Sequence, residues 1–327
     1  MTVHTLLRSG SGRQSALLDI MTHRPSLLIA GLAIALALAA TPYVRVASAQ
    51  DVPRFFDPNE RLARPSLAGL PRLRFLTSLD FPPFNFADAQ GRVAGFNVDL
   101  ARALCVELDI VDKCEIQAMP WDELDATLEG KRGEAIIAGH RVTAELRATR
   151  EVSAPYFRFP ARFAARRDAG AADADDMTPL TAGKKVAVVA QSAHAAMLAA
   201  WFPKATAVPV DTIEDAHAAL LSGDADFIFA DGVGLAFWLG STASQDCCDF
   251  VSGPFLSEHF LGRGMVIVMR QDSASLAEAI DSALKSLEED GTYREIFTRY
   301  FPLNPFSDGP VGSAPAEGKA ERPDETG

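Results

Sequence analysis

Two hydrophobic periods alternate along most of this chain, short apolar runs giving way to stripes spaced three and four residues apart. LRFLT, from Leu73, reads as a buried strand. An aromatic–proline turn and a glycine-bounded hairpin follow, then a segment whose Leu100, Leu104 and Leu108 share one helical face. Asn97 or Asp99 is the expected cap of that helix. Trp121, Leu124 and Leu128 predict a short second helix ending at Gly130, and AIIA (135–138) a buried strand running into Gly139. A polar helix over 144–150 leads to Pro155-Tyr156, and 157–166 should run extended into a soft stretch from Asp168, DAGAADADDM.

A second unit opens at Lys184. KKVAVVA is a buried strand, Ser192 can cap the helix after it, and Thr212 with Asp215 starts another helix that Gly223 closes. ADFIFA (225–230) is a further buried strand that delivers Asp231 at its carboxyl end. GRGMVIVMR returns towards the first unit, and Leu276, Ile280, Leu284 and Leu287 stripe the last long helix. Strand followed by helix at this spacing predicts open α/β sheets, with a ligand crevice beyond the carboxyl ends of the strands. Two α/β lobes joined by two extended crossings is the simplest arrangement. Lobe 1 is expected over 72–158 and 263–303, lobe 2 over 159–262, with no internal repeat.

The ends follow other rules. Residues 27–40 are unbrokenly apolar, preceded by Arg24 and followed by Pro42 and Ala47-Ser48-Ala49, the pattern of a signal h-region and an A-x-A cleavage site. The run is shorter than the ~20 residues that span a bilayer, so a cleaved signal peptide over 1–49 is expected. Met21 is a candidate true start, and the mature chain should begin at Gln50. Residues 50–71, rich in Pro, Arg and Asp, read as an extended N-terminal arm. Residues 304–327 have too few apolar side chains to fold and read as a disordered tail.

Charge and cysteine content narrow the function. The formal charge is −12, and removing residues 1–49 takes four Arg and one Asp with it, leaving −15. An acidic chain without basic blocks argues against nucleic acid and anionic membrane surfaces as partners. Four cysteines in an exported chain point to oxidation. Cys105, late in the first helix, and Cys114, at the start of the next strand, are expected to pair. The adjacent Cys247 and Cys248 could form a vicinal disulfide, stay reduced and buried, or pair between chains. No metal is expected, since His259 is the only soft ligand near them and no C-x-x-C spacing occurs. No Ser-His-Asp spacing or glycine-rich phosphate loop calls for catalysis or a cofactor.

Eight motifs occur in order: DFPPFNF; GRVAGFNVDLARAL; MPWDELDATLEG; AIIAGHRVT; Pro155-Tyr156, its Tyr thirteen residues past Thr143; GKKVAVVAQSA; GDADFIFAD; and EEDGTYREIFTRYF. Together they resemble the periplasmic solute-binding proteins of polar-amino-acid ABC importers, the bacterial extracellular solute-binding proteins of family 3, over residues 73–301. The resemblance implies a bilobal α/β periplasmic-binding-protein fold, its lobes joined by a two-strand hinge and closing on one small ligand. It also implies a monomeric periplasmic receptor whose closed state the importer's membrane subunits read.

The resemblance further implies site roles. Phe81 and Trp121 match positions where an aromatic or apolar side chain sandwiches the ligand, while Phe84 should pack inward. Asp231 matches the carboxylate that pairs with a ligand ammonium. Gln191 and Ser192, at a strand end and a helix start, favour an anion, and Gly139 ends a ligand-facing strand. Three positions depart from the family pattern. Leu146 stands where the family has an Arg for the ligand carboxylate, and Arg147, one residue on, is rotated by about 100°. Arg141 replaces a small hydroxyl residue and could take the carboxylate instead. Ser78 replaces an acidic residue used for a side-chain ammonium, which disfavours Lys or Arg as ligand. The leading function is an importer's receptor for an amino acid or small carboxylate. The alternatives are a binding module for a dedicated periplasmic oxidoreductase or sensor system, and an exported dehydratase on the same fold. Asn85 and Gln191 are neutral amides where a dehydratase would need an acid.

Overall fold

The computed structural model describes residues 52–169 and 176–307. The expected signal peptide, Met21 and Gln50 lie outside these residues, as does the chain from 308. No described helix is long and apolar enough to cross a membrane.

Apolar runs become strands wherever both faces can be covered. In lobe 1, β1 (Leu73–Thr77) is buried at every position, and its Arg74 is neutralised by Glu134 at 2.9 Å. A small antiparallel sheet follows, made of β2 (Asp80–Phe81), β3 (Asn85–Ala87) and β4 (Val93–Ala94). Then come α1 (Phe96–Glu107), β5 (Cys114–Ala118), α2 (Leu124–Glu129), β6 (Ala135–Ile136), α3 (Ala144–Thr149) and β7 (Arg150–Val152). Lobe 2 contains β8 (Ala161–Arg166), α4 (Met177–Thr181), β9 (Lys185–Val189), α5 (Ala193–Trp201), β10 (Thr206–Val210), α6 (Ile213–Ser222), β11 (Phe227–Asp231), α7 (Gly232–Leu239) and β12 (Cys248–Phe255). After α8 (Glu258–Leu261) the chain re-enters lobe 1 as β13 (Val268–Arg270), α9 (Ala274–Glu289) and α10 (Thr292–Tyr300).

The two sheets run β5-β1-β6-β13-β7 and β10-β9-β11-β8-β12. In each, three neighbouring strands pair in parallel, and one reversed strand, β13 or β8, pairs antiparallel on both sides and joins the fifth to them. The chain crosses between the sheets twice, and the crossings meet at Met265. Arg141 and Phe157 each form an antiparallel bridge to it. The Met265 amide donates to the Phe157 carbonyl at 2.8 Å, and the Tyr156 amide donates to the Met265 carbonyl at 3.0 Å. Phe157 packs among Phe84, Phe301 and Phe306, with ring centroids 4.9, 5.4 and 5.8 Å away.

Two expectations need correction. Helix α1 is capped by Gly95, not by Asn97 or Asp99. The small sheet supplies the partners instead: the Phe96 and Asn97 amides donate to the Pro83 and Phe84 carbonyls at 3.0 and 2.8 Å, which satisfies the helix start without a side chain. Asn97 is thereby freed for a buried network, accepting from the Tyr156 hydroxyl at 3.0 Å. The C-terminal segment is also packed beyond residue 303. Asn304 and Phe306 are buried, Leu303 sits against the lobe 2 core, and the Pro305 carbonyl accepts from Arg162 at 3.3 Å. Arg162 is itself fully buried on lobe 2 and lies over the Phe250 ring at 4.4 Å. Aromatic anchoring and this buried guanidinium order residues that composition alone assigns to a tail.

The capping box at Thr212–Asp215, the left-handed Gly223 and the α9 stripe appear as expected. Cys105 and Cys114 are bonded, with Cα atoms 6.1 Å apart, tying α1 to β5. Cys247 and Cys248 are bonded to each other, and Cys248 is buried in lobe 2.

The N-terminal arm lies along α9. Glu288 accepts from the Phe55 and Phe56 amides at 3.0 and 3.3 Å, and Lys285 donates to the Asp57 and Pro58 carbonyls. Burial pushes the Glu288 carboxyl from near 4.5 up to about 7, against the pull of those amides, Arg54 and Lys285. The folded chain therefore holds this proton more tightly than the unfolded one. Its contribution to stability is full below pH ~4.5 and is lost as pH rises through about 7. Asp281, pushed up to about 6, acts in the same sense. Glu288→Gln should therefore shrink the fall in melting temperature between pH 5 and pH 8, measured by scanning calorimetry. An equal fall in both proteins would contradict this.

Candidate functional site

The carboxyl ends of β1, β6, β9 and β11 carry the residues singled out in the sequence. Strand β1 leads through Ser78 to Phe81. Its ring is half-buried and stacked on Phe84 with centroids 4.9 Å apart, and Phe84 is core. Gly139, beyond β6, has φ +104°, and a Cβ there would lie 2.7 Å from the Phe81 ring. Glycine is thus what lets the backbone and this ring come together. Trp121 is 47% exposed, so it is not core, and it stacks on His140 with centroids 4.4 Å apart and planes 19° from parallel.

Arg141 is set by its bridge to Met265. Its guanidinium lies 5.9 Å from the centre of the Phe159 ring and forms no ion pair among the described residues. Its charge is felt by two groups of lobe 2, Asp231 and His194. Asp231 ends β11 and caps α7, its carboxylate accepting from the Gly234 amide at 2.8 Å. Burial pushes this carboxyl up to about 6, opposed by the Gly234 and Val233 amides and by Arg141. Such a carboxylate is partly desolvated and gains more from a cation than a solvated one.

Gln191, exposed and left-handed at φ 56°, precedes Ser192 at the start of α5. The Ser192 hydroxyl donates to the Val189 carbonyl at 2.7 Å and accepts from the Ala195 amide at 3.0 Å. It is a helix cap whose proton is already spent. Arg147 lies exposed on the last turn of α3, while Leu146 packs against the lobe 1 core of Leu76, Leu124 and Ile136. The structure therefore gathers Phe81, Trp121, Gly139 and Arg141 on one lobe, and Gln191, Ser192 and Asp231 on the other. Among the described residues, Arg147 forms no ion pair or side-chain hydrogen bond with either group.

Two residues were missed. Phe159 lies in the crossing, and only its place after the Pro-Tyr pair could have marked it. His194 follows Ser192 by two residues, a polar ring in the first turn of a helix that begins beyond a buried strand. Its Nε2 is buried without a partner, and burial with the Arg141 charge pushes it down to about 4. His140, whose role the sequence left open, has a buried Nδ1 without a partner, and burial lowers its pKa. A cation and a carboxylate on opposite lobes, within range of each other's charge and with aromatic rings nearby, can hold a small zwitterion.

The family model for bacterial extracellular solute-binding proteins, family 3, matches residues 73–303. The chain is 31% identical over 229 residues to the "Putative ABC transporter arginine-binding protein 2" of Escherichia coli (strain K12), covering 70% of this chain and 90% of that one. It is 28% identical to that strain's "Lysine/arginine/ornithine-binding periplasmic protein", covering 75% and 94%. Among solved structures it resembles the L-cystine solute receptor of Neisseria gonorrhoeae in its unliganded open conformation. That likeness has TM-score 0.59 and 23% identity and covers 70% of this chain and 92% of that one, which carries the fold.

The Gly139–Phe81 contact yields a stability test. Gly139→Ala should cost ~1–3 kcal/mol more than Gly91→Ala, because both have positive φ but only Gly139 faces a ring. Urea unfolding reads the difference, and equal costs would contradict the packing.

Proposed function

Because this chain belongs to the bacterial extracellular solute-binding proteins, family 3, we propose that it is the periplasmic receptor of an ABC importer and closes its lobes on one small amino acid. The observation that carries the reading is the opposition of Arg141 on lobe 1 and Asp231 on lobe 2, close enough that the one charge shifts the other. A ligand α-carboxylate fits Arg141 and its ammonium fits Asp231, so a bound zwitterion spans both lobes. Such a ligand favours the closed form by its differential contacts, which is all that closure requires. Phe81 and Trp121 supply apolar faces that add affinity without fixing the side chain. The relatives' names, which print arginine, lysine and ornithine, support amino acids as the ligand class. Gly139, Gln191 and Ser192 border the site, and the receptor acts as a monomer alongside the importer's membrane subunits.

Asp231 doubles as a helix cap, so Asp231→Asn, which keeps a cap, is the informative variant. It should lower affinity for an amino acid at least about tenfold in calorimetry with little change in melting temperature. Arg141→Ser should cost more affinity than Arg147→Ser. The reverse order would move the carboxylate site to α3.

Affinity should also follow pH. Only ionised Asp231 pairs with an ammonium, and its carboxyl titrates at about 6 in the unliganded protein. Affinity should then fall about tenfold from pH 7 to pH 5. A flat profile in wild type would remove Asp231 from the site.

A further inference from the structure

A zwitterion held as above uses both Arg141 and Asp231, and Ser78, His140 and His194 carry no negative charge. Ser78, at the carboxyl end of β1, is 1% exposed, and its hydroxyl accepts from the Asn85 side-chain amide at 2.9 Å. The Asn85 carbonyl oxygen accepts from Asn97 at 2.8 Å, and the Asn97 oxygen accepts from the Tyr156 hydroxyl at 3.0 Å. This buried chain contains no carboxylate. Asp125, whose charge reaches His140, faces Arg150 at 3.9 Å.

Two rings lie within reach of the Arg141 position, His140 beside it in sequence and His194 within range of its charge. His140 Nδ1 and His194 Nε2 are buried and lack partners among the described residues. Buried polar groups seek hydrogen bonds, and leaving one unpaired is costly. Both rings are neutral at working pH, since desolvation lowers each, and Arg141 opposes a proton on His194. A second cation carried in on the ligand would add to the Arg141 charge, and Ser78, His140 and His194 offer it no carboxylate.

We propose that the ligand is an α-amino acid with a polar, uncharged side chain, read by His194 of lobe 2 together with His140 of lobe 1. This rests on the receptor reading above and departs from the arginine and lysine of the relatives' names.

L-Arginine and L-citrulline have the same length and differ in a guanidinium against a ureido group, so they isolate the charge. Calorimetry on the exported protein with these two, L-glutamine and L-glutamate should show L-citrulline or L-glutamine binding at least about tenfold tighter than L-arginine or L-glutamate. His194→Phe, which keeps the ring edge towards Phe229, should abolish that preference, and His194→Gln should retain part of it. L-Arginine or L-glutamate binding equally or more tightly would overturn the inference and leave the receptor reading standing. A preference unchanged in His194→Phe would remove His194 from the site. No binding by any of the four or by the remaining common amino acids would overturn both readings.

Discussion

The arrangement depends on the backbone pairing at Met265. One residue of the return crossing pairs with Phe157 of the outgoing crossing and with Arg141 at the end of lobe 1's central strands. This pairing holds the two connections side by side and makes them one hinge. It also sets where Arg141 stands, because a residue in a bridge cannot rotate out of register without breaking it. The aromatic cluster around Phe157 backs the pairing with buried area, and the C-terminal segment extends that cluster onto lobe 2 through Leu303 and Arg162.

Electrostatics at the cleft follow from this geometry. The Asp231 carboxyl is pushed up by burial and held by helix amides, and the Arg141 charge on the other lobe acts against that shift. Asp231 is partly desolvated while Arg141 is exposed, and neither forms an ion pair among the described residues. A partly desolvated carboxylate gains more from a ligand ammonium than a solvated one. On α3, Leu146 covers the lobe 1 core and Arg147 lies exposed.

Much of the fold was legible in the sequence because strands buried on both faces and striped helices leave strong periodic signals. Leu73–Thr77, the 225–230 run and the α9 stripe are of this kind. The cap of α1 was not legible: its amides are satisfied by Pro83 and Phe84 carbonyls that only the tertiary hairpin brings near. The packing of residues 304–306 was hidden for a similar reason, since a single Phe306 and a carbonyl for Arg162 barely register in composition. Of the residues proposed for the site, Asp231 and Arg141 could be read from motif positions. Phe159 and His194 could not, because nothing local sets these rings apart from other helix or crossing residues.

The central claim is closure of two lobes on one amino acid, and small-angle X-ray scattering of the protein tests it most directly. Adding a saturating amino acid that binds should reduce the radius of gyration, with the change absent in Asp231→Asn at the same concentration. A radius of gyration that stays constant while calorimetry registers binding would contradict the account.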